Sequence, residues 1–239
     1  MLGFFPMFDP LYFIMLIPAM LLAGWAQMKV KSAFARASKM PASGRMSGAE
    51  AAHRILQAHG LQRVAIEETR GFLGDHYDPR AKVLRLSRDV YHGRSLASMG
   101  VAAHEAGHAI QDASGYAPLK LRNGIVPLAH VGSSLSMIIF IVGMVLSATA
   151  IGQGLILVGI VLFSLTVVFQ LVNLPVEFDA SKRARQVLVA NGIVAQREDA
   201  EVGKVLNAAA LTYVAATVSA ILTLLYLLMR SGLLGGSRD

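Results

Sequence analysis

Two histidines four positions apart, His104 and His108, are the residues of this sequence best placed to do chemistry, because Glu105 lies between them. On a helix, residues four apart lie on the same face, so both imidazoles can bind one zinc ion. Glu105 would then lie beside the ion, where its carboxylate can act as a general base toward water. The pattern therefore predicts a catalytic zinc site rather than two packed core histidines.

The segment around the pair has the composition of a buried helix. Residues 96–103 contain neither charge nor proline, and Gly115 follows the segment as a stop signal. We expect one helix over about residues 95–113, with the histidines in its second half.

Long uncharged runs predict that the chain is an integral membrane protein. Only 15% of its 239 residues are charged, whereas soluble domains are about one quarter charged. Residues 11–28, 123–176 and 205–229 carry no charge. A spanning helix needs about 20 apolar residues, so the first and last runs each fit one span. The middle run fits two spans that turn near 152–154, which makes four in total.

Lysine and arginine are distributed asymmetrically along the chain. Fifteen of the 22 lie between the first and second predicted spans, and five more lie between the third and fourth. The positive-inside rule places both of these regions in the cytoplasm. The predicted segments are a first span at 1–28 with its N-terminus outside, a cytoplasmic region at 29–123, a transmembrane hairpin at 124–174, cytoplasmic helices at 175–207, and a last span with a short outer tail at 208–239.

The net charge of +7 is explained by this topology and by attraction to anionic lipid, so no nucleic-acid partner is predicted. The absence of cysteine excludes disulfides and thiolate zinc ligands.

The cytoplasmic part should carry a small β-sheet. Ser47 and Glu50 have the spacing of a capping box, which predicts a helix that ends before Gly60. Residues 64–66 and 83–86 have the composition of short strands, residues 75–80 that of a turn, and residues 87–91 that of a short helix. The predicted fold is therefore mainly α, with four transmembrane helices.

A catalytic zinc ion usually has three protein ligands, and the third must come from elsewhere in the chain. The extended motif with an adjacent third histidine fails, because Gln111 and Ser114 replace its glycine and histidine. Glu177 is the first charge after the uncharged run and lies on the same predicted side as the histidines. A carboxylate there needs a partner. Asp179 is the alternative ligand, although it points to a different helix face.

The histidine segment is accompanied by four further distinctive segments, at 75–80, 115–122, 174–181 and 207–216. Together they resemble the YugP-type bacterial membrane zinc metallopeptidases over essentially the whole chain. The resemblance implies a gluzincin-like site in the bacterial inner membrane, more distantly similar to HtpX and the CAAX prenyl proteases. In those relatives the third ligand is the Glu of a Glu-x-x-x-Asp motif, and Glu177 matches that Glu.

Ser181 stands where those relatives have the Asp that orients a ligand histidine. Ser181, Asp179 or Asp112 could take that part here.

Peptide hydrolysis also needs a donor for the developing oxyanion. The candidates are Tyr213, near the cytoplasmic end of the last span, and His76 or Tyr77 in the predicted turn. His130, early in the second span, could be a fourth ligand or a proton relay, but we favour a hydrogen bond within the helix bundle.

These observations predict a membrane zinc metalloendopeptidase with Zn²⁺ held by His104, His108 and Glu177, and Glu105 as base. Its partners would be a membrane protein or peptide substrate and the lipid bilayer, with hydrolysis at the cytoplasmic membrane surface. The alternative is a zinc-stabilised membrane adaptor without activity. Glu105 distinguishes the two, because a structural zinc site has no use for a base.

Overall fold

The computed structural model describes residues 10–71 and 74–234. These residues form seven α-helices and three short strands. In chain order the elements are α1 (Pro10–Ala37), α2 (Gly48–Ala58), β1 (Ala65–Thr69), β2 (His76–Asp78), β3 (Val83–Ser87), α3 (Arg88–Tyr91), α4 (Leu96–Ala113), α5 (Ala117–Val145), α6 (Ala150–Ala190) and α7 (Asp199–Arg230).

Four of these helices, α1, α5, α6 and α7, are long and apolar enough to cross a membrane. Their large apolar side chains remain exposed, as at Leu21 with 70% and Ile151 with 72% of the residue surface accessible. Exposed apolar surface on this scale is stable in lipid and not in water. The prediction of a mainly helical membrane protein with four spans is confirmed.

The chain divides into two compact units. The first comprises residues up to Trp25, Leu121–Leu174 and the chain from Thr212 onward, and the second comprises Ala26–Lys120 and Pro175–Leu211. The predicted segment boundaries remain predictions, and the ends of the first and last segments, 1–9 and 235–239, lie outside the described residues.

The first unit contains the connection between α5 and α6, which lies at 146–149 and not at the predicted 152–154. The Thr149 hydroxyl accepts the Gly152 N–H at 3.0 Å and so caps the start of α6. A Cβ at Gly152 would lie 1.9 Å from the Leu146 carbonyl oxygen. The glycine is therefore required by close packing inside the first helical turn, and the prediction of a turn at this position was wrong.

The second unit packs α2, α3 and α4 against the sheet around a continuous apolar core. The predicted capping box is confirmed, because the Ser47 hydroxyl accepts the Glu50 N–H while the Glu50 carboxylate accepts the Ser47 N–H. The predicted helix around the histidine pair is confirmed as α4, which begins after Ser95 and ends before Gly115, whose φ is +67°.

The sheet has the strand order β1-β3-β2, with β1 parallel and β2 antiparallel to β3. The two predicted strands are present, but β2 lies in the segment that was predicted as a turn. Tyr77 is buried there and pairs with Leu84, and this burial outweighs the turn-forming composition. The turn itself follows at Asp78, whose carboxylate accepts the N–H groups of Arg80 and Ala81.

Helix α6 continues without a break through Pro175. Proline lacks the N–H that would bond to the carbonyl four residues earlier, but it does not end the helix here. The last turns of α6 therefore belong to the second unit and carry Glu177, Asp179 and Ser181.

Candidate metal centre

His104 and His108 lie one turn apart on α4 and face the same side. Their ring centroids are 4.8 Å apart, and the ring planes are inclined by 83°. Glu177 of α6 completes the cluster, since its Oε2 lies 3.2 Å from His104 Nε2 and 3.6 Å from His108 Nε2. One ligand atom from each of the three residues lies within 4.8 Å of the other two.

A glycine allows the two helices to approach closely enough for this cluster to form. A Cβ at Gly107 would lie 2.8 Å from the Ala180 carbonyl oxygen, closer than such atoms pack. Gly107 precedes His108, and Ala180 lies three residues after Glu177. A close approach of α4 and α6 therefore lies next to the cluster.

The second ring nitrogen of each histidine contacts a neutral polar group. His104 Nδ1 lies 3.2 Å from the Ser181 hydroxyl, and His108 Nδ1 lies 3.0 Å from Gln111 Oε1. Of the three candidates for the missing Asp, only Ser181 touches a histidine of the cluster. Asp179 contacts Gln111, and Asp112 contacts Tyr77 and Lys82.

Glu105 is buried beside the pair, with 8% of the residue exposed. Its Oε2 accepts the backbone N–H of Tyr77 at 3.0 Å, which links α4 to strand β2. Burial raises the pKa of Glu105 to about 7, and the nearby carboxylate of Glu177 acts in the same direction. Among carboxyl groups, one with a pKa near neutral is best suited to take up and release a proton at neutral pH.

Tyr77 is held at both ends. Its backbone N–H donates to Glu105, while its hydroxyl donates to Asp112 Oδ2 at 2.7 Å. Asp112 also forms an ion pair with Lys82. Tyr77 was one of the candidate oxyanion donors and was expected in a turn, but it lies in strand β2, where its N–H contacts Glu105. A strand of three residues is too short for alternation of polar and apolar residues to reveal it in the sequence.

The donor set fits a zinc ion. Two imidazole nitrogens and one carboxylate oxygen form the combination of several catalytic zinc sites. The Glu177 side chain is only 6% exposed, and a buried carboxylate is costly unless a cation or hydrogen-bond donors compensate it. A zinc ion held by all three residues would provide that compensation.

The other two predicted catalytic side chains are His76 and Tyr213. His76 precedes Tyr77 on β2, so its ring lies on the opposite side of the strand, where Nδ1 contacts the Gly74 carbonyl at 2.9 Å. Tyr213 belongs to the first unit, and its part as a donor remains a prediction. His130, also in the first unit, accepts the Ser133 hydroxyl through its backbone carbonyl.

Residues 12–232 match the model of a protein family described as "putative neutral zinc metallopeptidase". The chain belongs to this family. It is also 47% identical over 219 residues to "Putative membrane protease YugP" of Bacillus subtilis (strain 168), which covers 92% of this chain and 96% of that protein. No solved structure gives a significant match. The family's zinc peptidase description agrees with the donor set of the cluster, and the resemblance found in the sequence is confirmed.

Proposed function

We propose that this family member is an active zinc endopeptidase that hydrolyses peptide bonds of membrane proteins or peptides. The observation that carries the proposal is the convergence of His104, His108 and Glu177 with the buried carboxylate of Glu105 beside them. A purely structural zinc site would more often be closed by four protein ligands and would not need a base.

His104, His108 and Glu177 would hold the ion. When bound, zinc supplies Lewis acidity that polarises the substrate carbonyl and makes water more acidic. Glu105 would take the proton of the attacking water and pass it to the leaving amine. The Tyr77 N–H fixes the position of the Glu105 carboxylate during both proton transfers. For the oxyanion we retain Tyr213 as the proposed donor, because the ring of His76 lies on the other side of β2.

The position of β2 supports a peptide as substrate. Within the described residues, β2 pairs with β3 alone and forms the edge of the sheet. The Tyr77 N–H points away from β3 and donates to Glu105, so the outer edge of β2 borders the carboxylate proposed as base. A free strand edge can pair with an extended peptide through backbone hydrogen bonds.

We further propose that the site faces the cytoplasm at the inner membrane of a bacterium. The distribution of lysine and arginine supports this orientation, since both stretches of the second unit are rich in them.

The test is a comparison of purified full-length protein with its Glu105→Gln variant. Both should contain equal zinc and unfold at similar temperatures, but the variant should cleave reconstituted single-span membrane proteins about a hundredfold more slowly or worse. The matched control is Glu67→Gln, an exposed carboxylate paired with Arg85, which should cleave normally. Full cleavage by Glu105→Gln would remove it from the mechanism. Zinc-loaded wild type that cleaves nothing would favour the adaptor.

A further inference from the structure

Gln111 is a fully buried polar residue that the peptidase chemistry leaves unused. It lies on α4 three residues after His108, and none of its surface is exposed. A buried amide is retained without cost only when its donors and acceptor are satisfied. The amide makes three hydrogen-bond contacts. Two are with groups of α6, and the third is with the proposed zinc ligand His108.

One of the α6 groups that contact the amide, the Asp179 carboxylate, belongs to an ion pair with Arg183. Arg183 Nε donates to Asp179 Oδ2, and its guanidinium also lies over the Tyr116 ring, 5.6 Å from the centroid. The carboxylate of Asp179 therefore accepts hydrogen bonds at this position.

This ion pair determines the orientation of the Gln111 amide. Gln111 Nε2 lies 2.8 Å from Asp179 Oδ2 and 2.8 Å from the Val176 carbonyl oxygen. Both neighbours are acceptors, so the NH₂ group must face them. The amide oxygen is then directed at His108 Nδ1, 3.0 Å away.

An amide oxygen cannot donate, so His108 must carry its proton on Nδ1. In the neutral ring that a metal ligand requires, Nε2 then holds the lone pair and faces Glu177. We propose that Gln111 is a positioning residue that fixes the ring orientation and tautomer of His108 for metal binding, with Asp179 and Val176 holding its amide. The inference rests on the metal site proposed above, and it concerns residues that neither the motif nor the family description assigns.

The experiment measures the affinity of detergent-solubilised full-length protein for Zn²⁺ by competition with a chromophoric chelator. Gln111→Leu keeps the approximate volume but removes the acceptor, and should weaken zinc binding by about 10- to 100-fold. Gln111→Glu retains an oxygen toward His108 and should bind zinc more tightly than Gln111→Leu. Gln186→Leu, which changes an exposed glutamine of α6, serves as the control and should bind zinc as wild type does.

Which of the two Gln111 variants binds zinc more tightly distinguishes a positioning role of Gln111 from a packing role. If Gln111 only filled space, Leu would preserve zinc affinity and Glu, which places a charge against Asp179, would lose it. That result, or equal affinity of wild type and Gln111→Leu, would overturn the inference. Wild type without any affinity for zinc would instead overturn the proposed function and this inference with it.

A measurement on wild type does not depend on how the variants fold. In zinc-loaded protein carrying ¹⁵N-labelled histidine, NMR should show His108 protonated at Nδ1 and bound to the metal through Nε2. Binding of the metal through Nδ1 of His108 would also overturn the inference.

Discussion

At the scale of single residues, both histidines of the cluster have neutral partners for Nδ1, the Ser181 hydroxyl and the Gln111 amide. A carboxylate partner makes a histidine a stronger ligand, because it stabilises the positive charge that spreads onto the ring. With neutral partners, a bound zinc ion would keep more of its charge to polarise a substrate carbonyl. The resemblance to HtpX and the CAAX prenyl proteases implies an Asp at the position of Ser181, so those enzymes would differ in this respect.

Restoring that carboxylate should tighten zinc binding. We expect Ser181→Asp to raise zinc affinity by about tenfold, since its carboxylate would accept the Nδ1–H of His104. Ser181→Ala should lower the affinity, because it removes the acceptor. The measurement is zinc competition with a chelator, and Ser38→Asp, an exposed serine after α1, controls for the added charge. Equal affinities for Ser181→Asp and Ser181→Ala would contradict the part assigned to this contact.

At the scale of elements, the site depends on how closely α4 and α6 approach. Neither helix carries all three cluster residues, so their separation sets the distance from Glu177 to the histidines. Gly107 permits the observed approach, because any side chain there would meet the Ala180 carbonyl oxygen. Backbone cannot move aside as the end of a flexible side chain can, so the helices themselves would have to separate.

We therefore expect Gly107→Ala to damage the metal site although alanine is the better helix former. Overpacking of this kind costs about 1–3 kcal/mol, and the displaced Glu177 should reduce zinc affinity by about tenfold or more. Gly100→Ala is the matched control on α4, since its Cβ would meet only the Val202 side chain at 3.2 Å. Zinc titration and thermal unfolding of both variants provide the check. Wild-type zinc affinity in Gly107→Ala would show that the contact does not set the geometry.

At the scale of the whole molecule, the cluster requires that two distant stretches of chain lie on the same side of the membrane. His104 and Glu177 are 73 positions apart, and α5 and most of α6 separate them. Two spans between them return the chain to the side it left, whereas an odd number would place Glu177 on the opposite side. The number of spans and the metal site are therefore coupled.

Reporter fusions at residues 60 and 195 test this topology. Both should report the cytoplasm, because the positively charged stretches resist translocation. A fusion after residue 230 should report the outside and serves as the internal control. If residues 60 and 195 were found on opposite sides, His104 and Glu177 could not share a metal ion. If both were found outside, the metal site would remain possible but would face away from the cytoplasm.

The sequence by itself determined the features that depend on neighbouring residues. The histidine pair is set by helical periodicity, the start of α2 by the Ser47–Glu50 capping box, and the four spans by the length of the apolar runs. Each of these is a property of about 4–30 consecutive residues. The connection at 152–154 was mispredicted because Gly152, whose position against the Leu146 carbonyl oxygen leaves no room for a Cβ, resembles a glycine that forms a turn.

Only the tertiary structure decided which groups surround the histidines. It brings Glu177 rather than Asp179 into contact with both imidazoles, and places Ser181 and Gln111 behind them. It also turns a polar, turn-like segment into an edge strand that positions Glu105. Apart from the His108–Gln111 contact within α4, these contacts join residues of different elements up to 77 positions apart, and they depend on how closely the helices approach, which no local pattern specifies.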